Sequence, residues 1–171
     1  KLLYAFKHHL VYKWLPLSLV YRFFVPHGYD VEVAYVEGFT TKLLSHSTKG
    51  KVQKYAWVHC NMGKDHWTTS IFPTLIAETE AYNRFDHIFC VSNTAVQGFR
   101  QIFSSVIPPV STIYNPINAQ IIQDMAVEQV NDMEKKAIRL VTVGRLEPQK
   151  GYDRLVRIVD RLVDDGVKME L

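Results

Sequence analysis

The chain has 171 residues, of which 47% are hydrophobic and 22% charged, and it carries a formal net charge of +3. That mix belongs to a globular protein and excludes disorder, a collagen-like repeat and a mucin-like stalk. The charge is too small to argue for a nucleic-acid partner. Two cysteines, Cys60 and Cys90, with no CxxC argue against a disulfide scaffold and a structural zinc site. Two free thiols suit a reducing cytosol.

In chain order, the first 29 residues hold Lys1, Lys7, Lys13 and Arg22, several aromatics and no acid. Two readings stay open: a stretch lying on an anionic membrane surface, or a helix packed on a sheet with its basic face outward. The most apolar segment, Trp14 to Val25, is interrupted by Pro16, Ser18 and Arg22. It falls short of the roughly 20 residues a bilayer span needs. Apolar, β-branched runs follow at Val31–Val36, Tyr55–His59, His87–Ser92, Val110–Tyr114, Ile138–Val143 and Val167–Leu171. Near-continuous runs of this kind are expected of parallel strands buried on both faces. The segments between them are long enough for crossover helices. The pattern predicts an α/β fold built from right-handed βα units. Helices are predicted at Thr74–Asn83, Thr94–Phe103 and Tyr152–Asp164, with Ser92 or Asn93 capping the second and Gly166 closing the third. Asn115-Pro116 breaks the alternation. A short helix within Ile121–Val130 and a charged stretch, Asn131–Lys136, then read as a connector between two sheets.

Four places could carry chemistry. The loop Gly144 to Gly151 joins a strand to a helix start, where unpaired N–H groups gather. Arg145 and Lys150 add full positive charges there, and the glycines permit close backbone approach. It is either a diphosphate cradle or a turn with solvated charges, and it matches neither GxxxxGK[ST] nor GxGxxG. His59 leaves a strand end, where an imidazole can contact a ligand or move a proton, or is simply a structural histidine. Glu37-Gly38 ends another strand. The carboxylate could accept sugar hydroxyls, or the site is an ordinary βα turn with Thr40 as cap. Ser92 and Asn115 end two more strands, where such residues cap helices or make turns. Asp30 and Glu32 read as strand entry rather than a metal pair, and no metal site is expected.

The stretches Tyr29–Gly38, Ala56–His59, Phe85–Ser92, Ile113–Ile117 and Val143–Gly151, in this order, resemble a GT-B glycosyltransferase of family 4 (group 1). This is the type that builds bacterial capsule, lipopolysaccharide and exopolysaccharide. The resemblance implies two Rossmann-like parallel-sheet domains, both incomplete here. Residues 1–115 would be the later part of the acceptor-side domain, 116–136 the connector, and 137–171 the start of the donor-binding domain. It implies a retaining, metal-independent transfer with no cofactor. A sugar would pass from a nucleoside-diphosphate donor to a saccharide or lipid-linked acceptor, at the cytoplasmic face of a membrane. Gly144, Arg145 and Lys150 would hold the donor diphosphate, and His59 would reach toward the donor sugar. Glu37, Gly38, Ser92 and Asn115 would line the cleft wall. Cys60-Asn61 departs from the Thr-Asp pair often found after this histidine. The chain begins at Lys1 and ends inside an apolar run at Leu171, so a piece of a longer enzyme is expected. The Gly-rich first loop and the paired glutamates of the family would lie outside it, leaving the piece alone inactive. The competing expectation is a non-catalytic GT-B-like binding or partner subunit.

Overall fold

The computed structural model describes residues 16–26, 28–47, 52–128 and 138–170. The chain divides between Ile117 and Asn118 into two compact units. The charged connector stretch expected at Asn131–Lys136 lies outside the described residues, as do residues 1–15 of the basic N-terminal segment.

The first unit opens with α1 (Leu17–Phe24). It then alternates β1 (Val31–Ala34), α2 (Phe39–Leu44), β2 (Gln53–Val58), a 3₁₀ turn (Trp67–Ser70), α3 (Leu75–Tyr82), β3 (His87–Cys90), α4 (Asn93–Ile102) and β4 (Val110–Thr112). The four strands form one all-parallel sheet in the order β1-β2-β3-β4. The fold is α/β and Rossmann-like. Because the order never reverses, right-handed crossovers carry every connecting helix to the same face.

The burial pattern agrees. Ala34, Ala56, Val58, Ile88 and Cys90 point to one face and pack with Tyr82, Ala95, Phe99 and Phe103 from the helices. Tyr82 and Phe99 meet edge to face at 4.9 Å. Burying each such ring contributes about 1.5–3 kcal/mol. The opposite face carries a ladder of rings, Tyr35 on Trp57, Trp57 on Phe89, Tyr55 on Phe89 and His87 on Phe89. Val31, Val33 and Tyr35 on that side are exposed. The expected burial of the strands on both faces therefore fails at β1. Helix α1 buries Val20 and Tyr21, and the Tyr21 hydroxyl donates to Glu32. Phe23 and Phe24 are exposed.

Several strands are shorter than their apolar runs. β3 stops at Cys90 because Ser92 is the N-cap of α4, its hydroxyl accepting the Ala95 N–H at 3.1 Å. Thr74 caps α3 in the same way, through the Ala77 N–H. Thr40 does not cap α2. It sits inside that helix and donates to the Val36 carbonyl, and the cap position belongs to Gly38.

The second unit holds α5 (Ala119–Ala126), β5 (Ile138–Arg139), a 3₁₀ turn (Pro148–Lys150), α6 (Tyr152–Asp164) and β6 (Met169–Glu170), with β5 and β6 paired in parallel. The run Ile138–Val143 was expected to be a buried strand. It pairs over two residues only, and Val141 and Val143 are 81% and 93% exposed. With β6 as the sole neighbour among the described residues, no ladder holds the rest of the run extended. Gly166, at φ +86°, closes α6 with its N–H on the Val163 carbonyl.

Candidate functional site

Glu37, His59, Ser92 and Asn115 each follow the carboxyl end of a strand, β1 to β4 in turn. In a parallel sheet those ends share one edge, where open α/β sheets take ligands. Glu37 is 5% exposed. Its carboxylate accepts the backbone N–H of His59 at 2.9 Å and the indole N–H of Trp67 at 3.2 Å. Burial pushes its pKa up. The bonds from the His59 N–H, the Cys60 thiol beside it, its own backbone N–H and Trp67 outweigh this and hold it below the ordinary 4.5. Glu37 is therefore an anion at neutral pH, with its oxygens already engaged by the protein. Burial, helped by the Glu37 charge, lifts the Cys60 thiol to about 12, and burial lifts Cys90 equally. Neither thiol is a thiolate nucleophile at neutral pH.

His59 is stacked near Trp57 and meets Tyr35 edge-on at 4.8 Å. Its Nε2 is buried with no hydrogen-bond partner among the described residues. Such an atom costs about 1–3 kcal/mol while unpaired.

Gly38 has φ +91°, and a Cβ there would stand 2.7 Å from Ile71 Cδ1 and 2.9 Å from the Trp67 ring. Gly38→Ala therefore meets both left-handed strain and a ring that Glu37 holds in place. The expected cost is about 2 kcal/mol, read by thermal melting together with a shift in tryptophan emission. Melting within a degree of wild type would show that the turn relaxes freely.

Ser92 is spent as a helix cap, and its neighbour Asn93 accepts from the Thr112 hydroxyl at 2.7 Å. Asn115 is exposed. The structure thus brings Glu37 and His59 into contact and leaves Ser92 and Asn115 as neighbours along the same edge.

A second carboxylate escaped the sequence reading. Glu78 is 1% exposed and accepts from the Thr68 hydroxyl at 2.6 Å and from His66 Nε2 at 2.9 Å. Its own helix exposes Leu75 and Ile76, the reverse of what hydrophobic periodicity predicts. Among the described residues no group of three His, Cys, Asp or Glu side chains is arranged to hold a metal ion.

In the second unit, Gly144 to Gly151 links β5 to α6. Gly144 lies against the Tyr152 hydroxyl and the stem of Lys150, and Gly151 is left-handed at φ +69°. The loop is folded back on the helix start, and no side chain caps α6. Arg145 pairs with Glu147 at 3.0 Å, the two side chains 75% and 45% exposed. An exposed pair of this kind is weak, so Arg145 can exchange Glu147 for an anionic ligand at little cost. Lys150 ends the 3₁₀ turn, exposed, directly before Gly151. No helix among the described residues is long and apolar enough to cross a membrane. Neither a protein-family model nor a curated protein matches the chain.

Proposed function

We propose that the chain belongs to a retaining glycosyltransferase. It would move a sugar from a nucleoside-diphosphate donor to a saccharide or lipid-linked acceptor in cell-surface polysaccharide synthesis. The observation that carries the reading is the buried Nε2 of His59, unpartnered among the described residues, at the carboxyl edge of a parallel sheet. Its backbone N–H is clamped by an ionised, immobile Glu37. An imidazole nitrogen fixed this way is suited to a hydroxyl of a polyol, for which it can donate or accept.

Arg145 and Lys150 serve the diphosphate. Both are free to engage an anion beside the uncapped start of α6, where backbone N–H groups add partial positive charge. Fixed cations stabilise the charge that grows on a leaving diphosphate, the task a metal performs elsewhere. Glu37 acts as a positioning residue, since its oxygens already hold His59 and Trp67. The exposed Phe23 and Phe24 beside Arg22 support peripheral contact of the first 29 residues with a membrane surface.

The test is calorimetric titration of the chain with UDP, GDP and ADP. One of them is expected to bind saturably, and Lys150→Ala to weaken it at least tenfold. Absence of saturable binding by all three would remove the donor-site reading.

A further inference from the structure

A depression of about 220 Å³ lies at the end of α2 remote from Gly38, lined among others by Lys42, Ser45, His46, Phe72, Glu80 and Arg84. It stands a helix length, roughly 9 Å, from the Glu37 end of α2. Three of these side chains are anchored by the backbone. Lys42 Nζ donates to the Ile71 carbonyl at 2.8 Å, and its ammonium lies 5.5 Å over the Phe72 ring. Arg84 donates to the Ser45 carbonyl at 3.2 Å. His46 Nδ1 bonds the Lys42 carbonyl at 2.9 Å.

Neither Lys42 nor Arg84 has a carboxylate within ion-pairing distance among the described residues. Glu80 is the acid on this rim, and Arg84 bonds the Ser45 backbone in preference to it. The depression therefore holds two cationic side chains against one carboxylate, each tethered by one backbone hydrogen bond. Each anchor uses one donor, leaving an ammonium with two N–H groups and a guanidinium with four. Unused, preorganised donors of one sign around a small concavity are the chemistry that recognises a tetrahedral oxyanion.

We propose that this depression binds a phosphate-type oxyanion, at a site separate from that of Glu37 and His59. The volume exceeds what a bare phosphate fills, so a phosphate ester is accommodated. The ester could be a free phosphorylated solute or a lipid headgroup, since both present the same group.

The experiment has two arms on the full chain: calorimetric titration with inorganic phosphate, and sedimentation with phosphatidylglycerol against phosphatidylcholine vesicles. Saturable millimolar binding of phosphate supports a soluble ester. Binding to phosphatidylglycerol vesicles alone supports a headgroup, provided that Lys42→Gln and Arg84→Gln weaken it. In either arm each of these variants should weaken binding about tenfold, the loss expected for one charge-assisted contact, and Glu80→Gln should strengthen it. No binding in either arm, or binding that the cation variants leave unchanged, overturns the proposal. Should Arg84→Gln unfold through loss of its bond to Ser45, Glu80→Gln still decides, because an unchanged affinity there overturns it too.

Discussion

Glu37→Ala should lower the melting temperature of the first unit by more than about 10 °C, the equivalent of about 3 kcal/mol. The substitution removes the acceptor for the His59 N–H and the Trp67 indole, both in part-buried bonds. A fully buried donor left without a partner costs about 1–3 kcal/mol, and two part-buried donors are orphaned here. Against a total stability of 5–15 kcal/mol typical of such domains, that is a large share. Glu37→Gln keeps one acceptor oxygen but turns an N–H₂ toward a donor, so it should fall between wild type and alanine.

The pH dependence supplies an independent readout. Glu37 has a depressed value in the folded state. Its contribution is fully present above the unfolded value near 4.5, and is lost as pH falls from there through the folded value. Wild type should therefore lose stability below about pH 4.5 in a component that Glu37→Gln lacks. Identical acid profiles for the two proteins would show that the carboxylate carries no such linkage.

In the intact enzyme, Lys150→Ala should reduce turnover of a nucleoside-diphosphate sugar by about 10²-fold or more while weakening donor binding less. Negative charge on the leaving diphosphate peaks in the transition state, so a fixed cation acts there more than on the bound ground state. Arg145→Lys should also be damaging, because an ammonium cannot reproduce the two parallel N–H donors of a guanidinium. Gln149→Ala, in the same 3₁₀ turn, is the neutral comparison. Steady-state kinetics of the three variants decide the matter. Near-normal turnover of Lys150→Ala would make the loop a turn with solvated charges and leave the transferase reading without its donor site.

The α/β class and the parallel sheet were legible in the chain itself. Four apolar runs separated by helix-length segments leave little choice but crossover connections, and a one-sided antiparallel sheet would show strict alternation instead. A cap at Ser92 or Asn93 was equally legible, and the structure gives it to Ser92, whose hydroxyl before the helix has a local partner in the Ala95 N–H. Local hydrogen bonding of this sort needs no distant residue, which is why sequence determines it. The placing of Glu37, His59, Ser92 and Asn115 on one edge follows from parallel strands alone.

Tertiary structure decided the rest. Glu37 could not be known as a buried acceptor, because its donors come from His59 and from Trp67 on a later turn. Glu78 carries no local signal of burial in the sequence. Only the approach of Thr68 and His66 offsets the desolvation that would otherwise keep a carboxylate out of the interior. The shortness of β5 was hidden for the same reason. An apolar run becomes a strand only where a neighbour completes its ladder, and β6 pairs with just Ile138 and Arg139. The unbroken strand order, which sends every crossover helix to one face and leaves the rings of Tyr35, Trp57 and Phe89 together on the other, is likewise a matter of pairing. Each strand's own residues fit either neighbour, and only the assembled sheet chooses between them.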